Sequence, residues 1–381
     1  MDPIVIVGSG LAGYSVAREF RKRNKTDSLV VVTADDGQFY SKPTLSEAFR
    51  LGAPVSELAS RSASGMAAQI KADVLAETRV RHIDTVNRSL STTHGTIAYS
   101  QLVLALGADP VRLPLAPASL ENVFAVNDLS DYVRFRAAAH DKKVVAILGA
   151  GLIGCEFAND MVHAGYRVKV IDIAASPLNR LLPRANGQFL LNALRRAGVD
   201  WHLGTGVSAI ERDGDGVVIR CTNGDALEAD IVLSAIGLKP RTALVQGTSI
   251  RASHGISVDP GLRTSDPQVF ALGDCAEVDG LWLPYIAPIG PAARVVASNL
   301  AGDPALVRYS AMPVIVKTPA CPTVVCPPSQ GAEGEWSTES DDDGVQSLFR
   351  DGTGLLRGFA LNGAYTERAS ALALSMPRLL G

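Results

Sequence analysis

An α/β fold with two Rossmann-like dinucleotide-binding domains and a small α+β C-terminal domain is predicted by three observations on this 381-residue chain. A glycine fingerprint occurs twice, at Gly8-Ser9-Gly10-Leu11-Ala12-Gly13 and at Gly149-Ala150-Gly151-Leu152-Ile153-Gly154. Each copy follows an apolar β-rich run, Ile4 to Val7 or Val144 to Leu148, and opens a segment of helical periodicity, which is the context the motif requires. Each is followed at a distance by an apolar strand closing on glycine, 102–107 or 231–237, and then by Pro110 or Pro240. A pattern repeated at this level points to two related α/β units.

Taken in order, Leu11, Val16, Ala17 and Phe20 recur at helical spacing, and 29–33 reads as the next parallel strand. In each fingerprint the first glycine (Gly8, Gly149) makes the tight turn. The second (Gly10, Gly151) lets a pyrophosphate approach the backbone, and the third (Gly13, Gly154) seats the helix on the strand. The second unit continues with a helix over about 152–163 and a strand over 168–171 that ends on Asp172. An acid at that distance after Gly149 suits the adenosine ribose and disfavours a 2′-phosphate, so NADH is the expected dinucleotide; the plainer alternative is a strand-end turn cap. In the first unit the acid comes late, in Thr33-Ala34-Asp35-Asp36, and Asp35 is the weaker ribose candidate. The chain beyond residue 311 changes character. Residues 314–325 are β-rich, 331–344 reads as a Glu/Asp/Gly loop, two short strands flank Asp351-Gly352, and a last helix starts near Thr366.

Composition narrows the function. With 47% hydrophobic and 20% charged residues the chain is globular, and a net charge of −3 gives no bulk field for a nucleic-acid partner. No apolar run reaches bilayer length, and no signal segment precedes the first strand, so a cytoplasmic protein with no membrane partner is expected. Five scattered cysteines suit a reducing compartment. Cys321 and Cys326 lie too far downstream for the redox pair of flavin disulfide reductases and are read as separate thiols. Asp341-Asp342-Asp343 is taken as a solvated loop, and no metal site is expected.

The run Thr264-Ser265-Asp266-Pro267-Gln268-Val269-Phe270-Ala271-Leu272-Gly273-Asp274, together with Tyr40-Ser41-Lys42-Pro43 and Gly154-Cys155-Glu156, makes the chain resemble pyridine-nucleotide-dependent flavoproteins with a glutathione-reductase-like fold. The resemblance implies FAD, with Asp274 on its ribityl chain and Lys42 paired with Glu156 beside the flavin ring near N5. Without it, Lys42 is a surface cation and Glu156 a first-turn helix acid. Because Asp274 follows the second unit, the FAD domain is expected to be discontinuous: 1–110 and 237–310, with the NADH domain at 111–236 and the C-terminal domain at 311–381. Val314 to Pro322 and Leu272 to Gly280 further resemble the rubredoxin-reducing members. This implies a hydride from NADH to FAD and single electrons to rubredoxin, serving an alkane hydroxylase or oxygen defence, with docking that is transient and locally basic. Lys42 and Lys317 are the expected docking cations, and Lys317 is also a candidate flavin-proximal charge; its alternative is an exposed strand lysine. The competing readings are an NADH-dependent ferredoxin reductase of an oxygenase system and a non-catalytic FAD/NADH-sensing protein. A cysteine-based NADH oxidase or peroxidase is disfavoured because no cysteine precedes Cys155. The run 284–288, ahead of a helix expected near Pro291, is the candidate for the flavin pyrimidine side.

Overall fold

The two fingerprints open two five-stranded parallel sheets that share the order of four strands and differ in the fifth, which comes last along the chain in the first sheet and first in the second. A computed structural model describes residues 2–115 and 121–380. The first sheet runs Val269–Ala271, Gln101–Leu104, Ile4–Val7, Leu29–Val32, Asp73–Leu75. The second runs Val123–Phe124, Ile231–Ser234, Val144–Leu148, Arg167–Asp172, Val199–Leu203. In both, the strand before the glycine loop is central and almost wholly buried, as its unbroken Val/Ile/Leu composition dictates. Each unit also carries a three-stranded antiparallel meander, over residues 80–98 and 207–229.

The chain passes between the units along a two-stranded antiparallel ribbon, Ala108–Pro110 against Leu238–Pro240. Both repeated prolines sit on this ribbon. The last strand of the first sheet, Val269–Ala271, therefore comes from beyond the second unit in sequence and brings Gly273 and Asp274 back to the first fingerprint.

The C-terminal domain is an antiparallel sheet in the order Val314–Val316, Thr323–Cys326, Leu356–Gly363, Gly344–Arg350, Glu335–Ser340. One face is covered by the helix Ala369–Ser375, through Val324, Phe359 and Leu361 against Leu372, Ala373 and Met376. Two expectations need correction. Glu335–Ser340 is an edge strand where a loop is expected, anchored by Trp336 against Phe349 with ring centroids 5.3 Å apart. The last helix begins at Ala369, after a 3₁₀ turn over Ala364–Arg368, because Gly363 in a positive-φ conformation breaks the chain direction first.

Candidate functional site

Each glycine loop is built as its chemistry requires. A Cβ on Gly13 would lie 1.9 Å from the Gly8 carbonyl oxygen, and one on Gly154 would lie 1.9 Å from the Gly149 carbonyl oxygen. Nothing lies within 4 Å of a Cβ built on Gly10 or Gly151, which leaves open space at the N-termini of the helices Leu11–Arg23 and Leu152–His163. A pyrophosphate fits that combination of tight packing and open approach.

The acids close both loops at corresponding places. Asp172 accepts from the backbone N–H groups of Ala150 and Ala174, at 2.5 and 2.6 Å. Asp35 accepts from the Ser9 hydroxyl at 2.8 Å and from the Gly37 N–H at 3.1 Å. Ser9 and Ala150 are the same position of the two fingerprints. The late acid of the first unit thus reaches the same point as the early acid of the second. Beside Asp172, Ile173 is 79% exposed, an apolar shelf at the rim. Asp172→Asn, which keeps the acceptor but removes the charge, should raise the preference for NADPH relative to NADH by about tenfold, a change of ~1.4 kcal/mol. The ratio of kcat/KM values for the two dinucleotides reads it.

Asp274 sits at the start of a 3₁₀ turn over Gly273–Cys275. Gly273 has φ +75°, and a Cβ there would meet the Ala12 Cβ at 3.0 Å, so this turn lies directly on the first helix. The Asp274 carboxylate makes no hydrogen bond among the described residues. Burial holds its pKa above the ordinary range, opposed by the Lys42 ammonium. An acceptor in that condition fits a polyol hydroxyl, the group a ribityl chain offers. Lys42 is drawn down by burial and pulled back by Asp274.

Lys42 does not pair with Glu156, contrary to expectation. Its Nζ donates to Asn127 Oδ1 at 2.6 Å, and Asn127 in turn donates to the Ala108 carbonyl at 2.9 Å, at the ribbon between the units. The cation on Glu156 is Lys317, whose Nζ lies 3.0 Å from Oε2. The Lys317 N–H donates to Oε1 at 3.1 Å, and the Ser46 hydroxyl donates to Oε2 at 2.7 Å. Lys317 Nζ also donates to Ser46 Oγ at 2.6 Å and to the Pro43 carbonyl. One ion pair therefore ties together the 42–47 turn of the first unit, the helix of the second and the C-terminal domain. Glu156 is 5% exposed, and the Lys317 side chain 23%. Both lysines are engaged internally and are not the free surface cations expected for docking.

Further residues of the same helix take part, and no single one of them could be picked out from the sequence. Asp160 accepts from the N–H groups of Phe49 and Arg50, each at 3.0 Å, and Asn159 accepts from the Ala320 N–H at 3.1 Å. The only available signal was spacing: Glu156, Asn159 and Asp160 share one helix face. Burial pushes the Asp160 carboxyl up to about 6. A carboxyl raised on folding binds its proton more tightly in the folded state, so stability falls as pH rises from about 4 to 6 and is level above. Relative to Asp160→Asn, urea unfolding of the native chain should show that loss, on the order of 2 kcal/mol.

The segment 284–288 packs through Tyr285 against the cluster holding Val314, Val316 and Ala320. Its helix starts at Ile289, two residues earlier than expected, and ends at Leu300. Cys321 and Cys326 are both buried and free, with thiols held above the ordinary range by burial. No cluster of metal-ligating side chains occurs among the described residues. Asp341 instead accepts from Tyr365 Oη at 2.8 Å.

Residues 2–297 match the family model described as pyridine nucleotide-disulphide oxidoreductase, and 306–376 match the rubredoxin binding C-terminal domain. The chain is 44% identical over 381 residues, all of both chains, to the rubredoxin-NAD(+) reductase of Alcanivorax borkumensis. It is 38% identical to the nitric oxide reductase FlRd-NAD(+) reductase of Aeromonas hydrophila, over 98% of this chain and 96% of that one. Among solved structures it is similar to the covalent putidaredoxin reductase–putidaredoxin complex, at 25% identity and a TM-score of 0.89, covering 98% of this chain and 93% of that chain.

Proposed function

The chain belongs to the pyridine nucleotide-disulphide oxidoreductase family, and from that premise we propose that it oxidises NADH and delivers electrons one at a time to rubredoxin. The observation that carries this reading is the union, in one chain, of two glycine-loop units with a C-terminal domain of the rubredoxin-binding type. Bound FAD supplies a ring that takes hydride from a nicotinamide and releases single electrons, which a rubredoxin iron requires.

The chain's own residues bind and orient. Gly8, Gly10 and Gly13 admit the FAD pyrophosphate, Asp35 takes the adenosine ribose, and Asp274 takes a ribityl hydroxyl. Gly149, Gly151 and Gly154 admit the NADH pyrophosphate, and Asp172 takes its ribose. Lys42, facing Asp274, supplies positive charge on the flavin side. Glu156 and Lys317 line the nicotinamide side as an ion pair, with the Glu47 carboxylate 3.9 Å from the same ammonium. No acid/base group is needed for hydride transfer.

Because Lys42 and Lys317 are used internally, rubredoxin docking rests on other surface residues of the C-terminal domain. The setting proposed is the cytoplasm, with which five free, buried cysteines are compatible. No helix among the described residues is long and apolar enough to cross a membrane. Onward delivery to an alkane hydroxylase or to oxygen defence is the family-based proposal. A ferredoxin is the competing acceptor. Steady-state turnover with NADH against purified rubredoxin and ferredoxin decides between them, with kcat/KM expected to favour rubredoxin by at least about tenfold.

A further inference from the structure

A buried chain of hydrogen bonds runs from the helix Arg184–Arg196 of the NADH unit, through the C-terminal sheet, to the turn that carries Lys317. Asn186, in the first turn of that helix, is fully buried. It accepts from Ser347 Oγ at 2.6 Å and donates to Asn362 Oδ1 at 2.8 Å and to the Ala360 carbonyl at 3.1 Å. Asn362 passes the contact on, donating to Thr323 Oγ1 at 2.9 Å. Thr323 Oγ1 and Thr318 Oγ1 both donate to the Cys321 carbonyl, at 3.0 and 2.8 Å, and the Cys321 N–H returns to the Thr318 carbonyl at 2.8 Å. The next residue back is Lys317. Every side chain in this path from Asn186 to Thr318 is at least 98% buried.

Two amides buried among apolar strands are destabilising unless each of their groups is partnered, and here they are. An apolar contact would hold helix to sheet equally well but would leave the rotation of the 317–322 turn free. Hydrogen bonds fix direction. That turn must present the Lys317 N–H and ammonium to one carboxylate, and Pro319 and Pro322 remove two of its own backbone donors.

We propose that Asn186, Asn362, Thr323 and Thr318 form a positioning chain by which the NADH unit sets Lys317 on Glu156. Asn186 and Thr323 act through Lys317 and touch no reacting atom. The inference rests on the reading of the Lys317–Glu156 pair as lining the nicotinamide side.

Thr323→Val preserves shape and removes the middle link, whereas Thr323→Ser keeps the hydroxyl. In the holoenzyme, amide hydrogen exchange over 316–322 should speed up by about tenfold in T323V and remain native in T323S. Flavin reduction by NADH, followed by stopped flow, should slow in T323V, with no further slowing when T323V is added to K317M. Native exchange in T323V overturns the chain. Faster exchange with the same slowing in both backgrounds overturns the route through Lys317. An unchanged flavin reduction rate in K317M removes the reading of the pair itself, while exchange still decides whether the chain holds the turn. Should T323V not accumulate as folded protein, Ser347→Ala, which strips the Asn186 carbonyl of its donor, is expected to speed exchange in the same segment, and native exchange there counts against the chain.

Discussion

Lys317→Met is expected to destabilise the folded chain by roughly 3 kcal/mol, the lower end of the range for breaking a buried ion pair, because the lysine is partly solvated. The substitution leaves the Glu156 carboxylate 5% exposed, with only the Ser46 hydroxyl and one backbone N–H as partners. It also releases Ser46 and the Pro43 carbonyl, so three domains lose a common point. Most of the penalty is an uncompensated charge, and removing that charge should relieve it. Glu156→Gln in the K317M background is expected to recover 1–2 kcal/mol, a coupling typical of residues in direct contact. Chemical denaturation of the two single variants, the double variant and the native chain measures the cycle. Additive losses would mean that the pair is not coupled as its geometry requires.

The paired substitutions Gly13→Ala and Gly154→Ala should separate the two dinucleotides. Both place a Cβ 1.9 Å from a backbone carbonyl oxygen, which no side-chain adjustment can relieve, so helix and strand must move apart. In the first unit this lies at the loop proposed for FAD, and G13A is expected to purify colourless. In the second it lies at the loop proposed for NADH. G154A is expected to purify yellow, yet to require NADH at least about tenfold higher for half-maximal bleaching. Flavin content and NADH titration read both. A yellow G13A or a colourless G154A would reverse the assignment of the loops.

Much of the architecture was legible because glycine loops and buried parallel strands announce themselves locally. Val144 to Leu148 reads as an unbroken apolar run because both faces of a parallel strand are covered. Glu335–Ser340 carries no such signal. It is an exposed edge strand of mostly polar residues, held by its ladder to Gly344–Arg350 and by Trp336 against Phe349, and its composition is that of a loop. The site divides in the same way. The placement of Asp274 and Asp172 beside the glycine loops follows from motif and spacing. That Glu156 is held by Lys317 and not Lys42 does not, since 161 residues separate the partners and only the packing of three domains brings them together. Asp35 looked misplaced by counting from Gly8, yet the turn at 33–37 carries it back to Ser9. Asn186 gave no sign at all. An asparagine among helical residues reads as surface until the sheet that covers it is known.

Anaerobic stopped-flow absorbance of the purified protein, mixed first with NADH and then with oxidised rubredoxin, follows both halves of the proposed electron transfer. Rapid bleaching of the flavin by NADH and rapid reoxidation by rubredoxin over repeated turnovers are expected. Flavin that stays oxidised with NADH, or that bleaches and is then not reoxidised by rubredoxin, would contradict it.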